Sequence, residues 1–456
     1  MAAQKFLTAP LKTDKMPPGI PYIIGNEAAE RFNFYGMRAV LFVFMTKYLV
    51  DRSGAAAPMS ENEANRWYHL FLSMNYFVPV IGAIVADAFW GKYKTIFWLS
   101  LVYCLGSIVL ALDHTRTGLM VGLSLIAIGS GGIKPCVSAH VGDQFCADNQ
   151  HLLARAFGWF YFSINAGSSV SMYFVPILLA EYGAGSAFGL PAALMLVATW
   201  VFWLGRQKFA HIPPGGKVFL RETFNREGFA AIGRLALIFF FMISFWALWD
   251  QSGSEWVGQA DKMDRTIAFF GFSFELLSAQ IQVVNGLLVV AFIPLFQYGL
   301  YPAIDRFWKL TPLRKIGLGM ITISLSFFVS AWIESRLAQG IKLSIGWQMP
   351  ACALLSAGEV MASITALEFA YTQAPKRMKS VIMSLYLLAI SLGNLFAAGV
   401  HWLIEKPDGS ASLTGAAYYN FYAWFSIGTT VVFVLFALRY REKTYLQDAA
   451  PVSSSP

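Results

Sequence analysis

Twelve long apolar runs constrain this chain more than any other feature. Each run holds about 20 to 28 residues, enough to cross roughly 30 Å of hydrocarbon as a helix. Only 13% of the residues are charged, against about a quarter in a typical soluble domain. The sequence therefore predicts an all-α membrane protein with twelve transmembrane helices. They lie near residues 22–50, 63–89, 95–113, 117–139, 152–181, 188–207, 229–252, 275–303, 311–334, 345–372, 377–404 and 416–440.

One longer polar segment divides the predicted helices into two groups of six. It covers about residues 208–228, contains HIPPGGK followed by mixed charge, and is typical of an interdomain linker. No removable signal peptide is predicted at the N-terminus, because no apolar stretch with a small-residue cleavage site is found there. The predicted organisation is an N-terminal segment 1–21, a six-helix bundle 22–207, the linker 208–228, a second six-helix bundle 229–440 and a tail 441–456.

The basic residues of the loops predict the orientation in the membrane. Most of them fall on one side if the N-terminus is cytoplasmic, as at Lys92, Lys94 and residues 376–379, in the sense of the positive-inside rule. The net charge of +8 therefore reflects topology and gives no reason to expect a nucleic-acid partner. We expect both termini in the cytoplasm and the chain in the cell membrane.

Several classes of function lack the residues that they need. The four cysteines form neither a disulfide framework nor a CxxC metal pattern, so no metal or other cofactor is expected. HExxH, GxSxG and Walker A motifs are missing, which argues against an enzyme or an ATP-driven pump. The predicted cytoplasmic segments are too short for a signalling domain, which argues against a receptor.

The first predicted helix carries ionisable residues at membrane depth. Its sequence GNEAAERFNFYGMRAVL places Glu27, Glu30, Arg31, Tyr35 and Arg38 at spacings of three and four, so they form one stripe along a helical face. Each charge costs roughly 2.5–3.5 kcal/mol on insertion scales and should therefore face protein or water. Glu27 lies one turn before Arg31 and can pair with it. A static network that holds the bundle together remains the alternative.

Other predicted helices also carry ionisable residues, and with those of the first helix the positive and negative charges are equal in number. Lys134 lies in the fourth predicted helix, Arg234 and Asp250 at the two ends of the seventh, and Glu359 in the tenth. A carboxylate that exchanges a cationic partner for a proton can couple the movement of a solute to that of protons. His69 is either an ordinary buried histidine or part of a proton relay.

These residues resemble a known family. GNEAAERFNFYGMRAVL is similar to the Glu-x-x-Glu-Arg-Phe-x-Tyr-Tyr-Gly signature of the proton-coupled oligopeptide transporter (POT/PTR) family of the major facilitator superfamily. GSGGIKPCVSAHVGDQF, FYFSINAGS, FWALWDQSGS and LEFAYTQAP follow in the family's order. The resemblance implies two six-helix bundles, and its details indicate a compact prokaryotic relative close to the animal branch.

The resemblance also implies roles for particular residues. Arg38 and Lys134 would attract the peptide carboxylate, and Glu359 the amino group. Gln297 stands where animal members carry an aspartate, so Arg234 needs another acceptor. The implied proton-coupling residues are Glu27, Glu30, Arg31, Lys134, Asp250 and His69. The implied substrate-binding residues are Arg38, Tyr35, Tyr76, Lys134, Asn165, Trp246, Asn285, Glu359 and Ser363, and the implied extracellular gate holds Arg234 and Asp250.

By this resemblance the protein imports di- and tripeptides together with protons, by alternating access and as a monomer in the lipid bilayer. A transporter of the same fold that carries histidine, another amino acid or nitrate is the alternative. Retention of the charged residues of the first helix, with Lys134 and Glu359, favours peptides.

Overall fold

The structure is a computed structural model that describes residues 6–216, 226–269, 272–373, 379–408 and 410–440. The predicted tail 441–456, residues 217–225 of the predicted linker and most of the basic cluster 376–379 lie outside the described residues. Nearly all of the described chain is helical. The helices are α1 Ile20–Lys47, α2 Glu61–Val85, α3 Lys92–Leu112, α4 Arg116–Gly142, α5 Leu153–Leu204, α6 Arg226–Trp249, α7 Glu255–Asp261, α8 Gln282–Leu295, α9 Tyr301–Asp305, α10 Pro312–Ala338, α11 Gln348–Glu359, α12 Thr365–Gln373, α13 Lys379–Ile404 and α14 Gly415–Ala437.

Most of these helices are suited to a bilayer. Within the described ranges, ten helical stretches are long and apolar enough to cross one. The longest, Gln150–Gln207, contains Gly183 with a φ of 78°, a left-handed conformation that glycine adopts without steric cost. That residue separates two of the predicted spans. Helix α1 is long enough to cross but carries the charged stripe, and with it the described helices account for the twelve predicted spans.

The helices form two halves around separate apolar cores. The first core is built almost entirely from residues between Ile20 and Phe209. The second is built from residues between Leu235 and Phe433. Helices α1 and α5, and α3 and α4, pack together in the first half, whereas α10 packs with α14 and α11 in the second. The main contact between the halves is made by α2 with α13.

Local sequence features explain where these helices begin and how closely they pack. Ser60 and Thr115 accept hydrogen bonds from the backbone N–H groups of Glu63 and Gly118, which caps the first turns of α2 and α4. Gly82 of α2 lies directly against the backbone of Gly131 of α4, where a Cβ atom would come within 2.0 Å of a carbonyl oxygen. Small residues of this kind let membrane helices approach closely.

Two irregular features stand out. Three helices continue into one-turn π-helical segments, Ala86–Trp90, Phe296–Leu300 and Val360–Ile364, and such segments are frequent at functional sites. A short antiparallel hairpin pairs β1, Thr266–Phe269, with β2, Phe272–Glu275. It lies between α7 and α8, in the connection between two of the predicted transmembrane spans.

Candidate functional site

The two sides of the bundle differ in the contacts between the halves. We call the side where α1 begins and α14 ends the terminal side, and the side where α1 ends and α2 begins the distal side. The first half runs to Gln207 and the second half starts at Arg226.

The charged stripe of α1 forms a compact cluster. Nε of Arg31 lies 2.7 Å from Oε1 of Glu27 and 2.9 Å from Oε2 of Glu30, so the predicted pairing of Glu27 with Arg31 is confirmed. Both carboxylates are buried, with exposed fractions of 2% and 0%. Oε2 of Glu27 and Oε1 of Glu30 find no hydrogen-bond partner within the described chain. Two buried carboxylates thus share one guanidinium and keep free lone pairs.

Lys134 of α4 does not contact these carboxylates. Its ammonium nitrogen lies 3.8 Å from the centre of the Phe34 ring and 4.6 Å from that of Tyr76, as in cation–π contacts. The nitrogen is buried and has no hydrogen-bond partner among the residues that the structure describes. The expected ion pair is therefore absent in this conformation, and three N–H donors remain available.

A large cavity opens from Lys134 toward the terminal side. Its volume is about 900 Å³, within the usual range for small-molecule sites. Both halves form its walls, and its charged lining residues are Asp87, Lys92, Lys134 and Glu368. Tyr161 and Tyr386 also line it. Asn165, one turn beyond Tyr161, is exposed and donates to the Tyr161 carbonyl at 2.8 Å.

Glu359 lies in a polar centre of the second half. Its Oε2 accepts hydrogen bonds from Trp249 Nε1 at 2.8 Å and from Asn285 Nδ2 at 2.9 Å. Asn285 also donates to Ser356 Oγ at 3.0 Å. Ser363, one turn further along, bonds to the hydroxyl of Tyr386 at 2.5 Å. The structure thus brings three predicted residues, Asn285, Glu359 and Ser363, into one region.

Trp249 was missed by the sequence analysis, and the predicted contact of Trp246 with a substrate stays a prediction. Trp246 is only 6% exposed and packs in the core with its ring centre 5.5 Å from Trp249 and 5.8 Å from Tyr386. Because Trp249 lies three residues further along the helix, its indole N–H reaches Glu359 instead. Tyr35 and Tyr76 are partly buried and pack against the core of the first half.

Arg38 and Asp250 join the halves on the distal side. Nη2 of Arg38 lies 2.6 Å from Oδ1 of Asp250, and its Nε donates to the hydroxyl of Tyr68 at 2.9 Å. Arg38 is 2% exposed. In this conformation the side chain of Arg38 is buried in an ion pair with the opposite half, and its predicted contact with a peptide carboxylate stays a prediction.

An asparagine missed by the sequence analysis connects this ion pair to His69. Asn394 Nδ2 donates to Asp250 Oδ2 at 2.5 Å, which turns its Oδ1 toward His69 Nδ1 at 2.8 Å. His69 must therefore carry its proton on Nδ1 to make this bond, and its Nε2 lies 3.3 Å from the hydroxyl of Ser254. His69 is thus a satisfied buried histidine that bridges the halves.

Arg234 does not take part in the distal contact between Arg38 and Asp250. It precedes Asp250 by more than four turns of helix, roughly 24 Å at the usual rise of 1.5 Å per residue, and lies near the terminal end of α6. The prediction that both residues form one gate is therefore wrong. Gln297, in the π-helical segment after α8, is exposed.

Asp250→Asn is expected to loosen the distal closure, because the buried Arg38 would lose its carboxylate partner. Breaking a buried ion pair costs about 3–5 kcal/mol, so we expect labelling of a cysteine at Ser254, which is fully buried, to become roughly tenfold faster or more. An impermeant maleimide applied from the distal side measures the rate, with the native cysteines replaced. Asp51→Asn, in an exposed turn, is the control. Equal rates for Asp250→Asn and the unmodified protein would contradict the assigned closure.

The halves are tied together at one side of the bundle, and a charged cavity separates them at the other. This arrangement is that of a multi-pass membrane protein with a cavity between two helical halves. The family model described as the POT family matches residues 93–232 and 222–421. The chain belongs to the POT family, and the predicted major facilitator superfamily fold of helical halves is confirmed.

Individual relatives agree with this assignment. The chain is 38% identical over 370 residues to "Peptide transporter family 1" of Drosophila melanogaster, covering 71% of this chain and 48% of the relative. It is 36% identical over 373 residues to "Solute carrier family 15 member 2" of Homo sapiens, covering 70% and 49%. The chain thus spans about half the length of the curated relatives it matches.

Solved structures match over nearly their whole length. An auto-inhibited POT family peptide transporter superposes with a TM-score of 0.84 at 33% identity, covering 95% of this chain and 99% of that one. The POT family transporter PepTSo superposes with a TM-score of 0.83 at 36% identity, covering 93% and 98%.

Proposed function

We propose that this protein is a proton-coupled symporter that imports di- and tripeptides across the cell membrane by alternating access, acting as a monomer. The observation that carries the proposal is the cavity between the halves, which is lined by Lys134 from one half and by Tyr386 from the other. The hydroxyl of Tyr386 bonds to Ser363, one turn beyond Glu359. The names of the relatives support peptides as the substrate class.

The two ends of a peptide suit these groups. Lys134 has free N–H donors for the peptide carboxylate. Glu359 already accepts two hydrogen bonds from neutral donors, yet keeps its charge for the peptide ammonium. A substrate held by both halves favours the conformation that brings them together. Tyr161 and Tyr386 line the cavity with aromatic rings, which can pack against peptide side chains of different size and shape.

Proton coupling is assigned to the cluster on α1. Glu27 and Glu30 share the single guanidinium of Arg31 and keep unpaired oxygens in a buried place. A proton can neutralise the excess negative charge. Asp250 is the second candidate, since distal opening separates it from Arg38 and leaves the carboxylate free for a proton. The freed Arg38 would then attract the carboxylate of an arriving peptide.

The proposed orientation places the terminal side in the cytoplasm, in agreement with the distribution of basic residues in the loops. The cavity then faces the cytoplasm, and the structure corresponds to the state that releases substrate. The distal side, closed by contacts of α2 with α13, is then extracellular.

A competition experiment tests the substrate class. We expect unlabelled dialanine and trialanine to suppress uptake of labelled dialanine into proteoliposomes under an inward proton gradient. Histidine and nitrate should have no effect at the same concentrations, because neither offers an ammonium and a carboxylate separated by a peptide bond. Suppression by histidine or nitrate without suppression by trialanine would contradict the assignment.

A further inference from the structure

Ion pairs between the halves follow one pattern on the distal side. A lysine or arginine of one half meets a carboxylate of the other, so opening of that side must break each pair. Lys47 pairs with Asp261 at 2.5 Å and Lys262 with Glu61 at 3.0 Å, and Arg66 pairs with Glu405. Cations are drawn from both halves. Besides the buried pair of Arg38 with Asp250, the distal side is therefore closed by ion pairs whose groups are partly exposed.

On the terminal side, Lys92 forms an ion pair within its own half and not with the opposite half. It is the first residue of α3 and lines the open cavity. Its ammonium lies 2.8 Å from Oδ2 of Asp143, a residue of the same half, and both side chains are about one-fifth exposed. The pair therefore does nothing to hold the halves together in this conformation.

Glu368 faces the same cavity from the second half. It lies on α12, one turn beyond Ile364, and both residues line the cavity and are exposed. Glu368 makes no hydrogen bond or ion pair with any residue that the structure describes. A free carboxylate of one half thus shares a cavity with a lysine of the other.

We propose that Lys92 and Glu368 form the ion pair that closes the terminal side, with Lys92 exchanging Asp143 for Glu368 as the cavity narrows. The inference rests on the proposed alternating access. Lys134 is the other lysine of the cavity, but its ammonium is held over the rings of the first half. Lys92 lies at a helix start, and its flexible side chain can turn toward the opposite wall.

An exposed ion pair has the strength that such a gate requires. Pairs of this kind shift an equilibrium by roughly two- to fivefold, which stabilises the closed terminal side without trapping it. Asp143 receives Lys92 again when the cavity reopens, so the cation has a partner in both states. When Lys92 pairs with Glu368, the terminal side is closed by an ion pair between the halves, as the distal side is in this structure.

Cross-linking tests the approach of the two side chains without requiring transport. The pair Lys92→Cys and Glu368→Cys is introduced with the native cysteines replaced. A short bifunctional methanethiosulfonate reagent is applied, because the long side chains of an ion pair hold their Cα atoms farther apart than the roughly 7 Å that a direct disulfide can span. The product is followed by mass spectrometry of the intact protein in liposomes. We expect a reducible cross-link. The matched pair Lys92→Cys and Ile364→Cys, one turn deeper, should form it several times more slowly. No cross-link, or equal rates for both pairs, would overturn the proposal.

A mutant cycle tests the pair in function. Glu368→Gln should slow dialanine uptake roughly two- to fivefold when Lys92 is present, and it should cause no further slowing in a Lys92→Gln background, as expected for interacting residues. The single variant Lys92→Gln and the double variant both lose the contact with Asp143, so this loss cancels when the two are compared. Losses that multiply in the double variant would overturn the proposal.

Lys94→Gln serves as the control, since Lys94 is exposed two residues further along α3. Combined with Glu368→Gln, it should give the product of the two single effects. A failure of the proposed peptide import can be distinguished from a failure of the proposed ion pair. A protein that forms the Lys92–Glu368 cross-link but takes up no peptide contradicts peptide import and supports the gate.

Discussion

Replacement of Lys134 by alanine is expected to abolish uptake of dialanine driven by an inward proton gradient. The ammonium nitrogen of Lys134 is buried among aromatic rings, in the half that holds the carboxylates of α1. Without this cation, deprotonation of Glu27 or Glu30 leaves negative charge that only Arg31 offsets. A hydrogen bond to a charged group contributes about 1.5–3 kcal/mol, so loss of the contact with the peptide carboxylate alone predicts a roughly 10- to 100-fold fall in the initial rate.

The measurement is uptake of labelled dialanine into proteoliposomes with an acidic exterior. Lys208→Ala is the matched control, because Lys208 is exposed and donates only to the hydroxyl of Tyr22 at 2.6 Å. It should keep nearly the full rate. Uptake by Lys134→Ala at the rate of the unmodified protein would contradict the role of this lysine in coupling.

Glu359→Gln is expected to weaken peptides with a free amino terminus far more than amino-blocked ones. Glutamine keeps an oxygen that Trp249 and Asn285 can donate to, so the change removes mainly the negative charge. A hydrogen bond to a charged group contributes about 1.5–3 kcal/mol, and the affinity for dialanine should fall roughly 10- to 100-fold. Affinities for dialanine and N-acetyl-dialanine, measured by competition, provide the comparison.

The matched control for this change is Glu181→Gln, at an exposed position of α5. It should leave both affinities unaltered. Equal losses for the free and the blocked peptide in Glu359→Gln would argue against contact of Glu359 with the peptide ammonium. The result would then favour a structural role through Trp249 and Asn285.

The sequence predicted the fold well because its strongest signals are local. An apolar run of bilayer length predicts a helix without knowledge of its neighbours, and the polar segment near residues 208–228 separates the halves. The pairing of Glu27 with Arg31 was predictable for the same reason, since residues four apart meet on one helical face. Gly183 marks the limit of such reasoning, because the helices that it separates appear as one continuous element.

Contacts between the halves could not be predicted in this way. Arg38 and Asp250 are 212 residues apart, and nothing in the local pattern of either helix indicates that they meet. Asn394 was missed because an isolated asparagine in an apolar helix gives no sign of the carboxylate and imidazole that it joins. The error for the gate at Arg234 arose because roles were assigned without knowing which side of the bundle is closed.

The direction of a side chain on its helix was a further limit. Trp246 and Trp249 differ by three positions, and the choice between them depended on the rotation of α6 relative to α11. Lys134 shows the same limit. Its position away from lipid was expected from its charge, but its contact with aromatic rings depends on side chains of two other helices.

If peptide and protons enter together, addition of peptide must acidify the interior of a liposome that contains the protein. The protein is reconstituted with a pH-sensitive dye in the lumen and a membrane potential negative inside, with no initial pH difference. Addition of dialanine should acidify the lumen in proportion to the peptide taken up, and Lys134→Ala should abolish the signal. Accumulation of dialanine with no change in luminal pH would contradict the account.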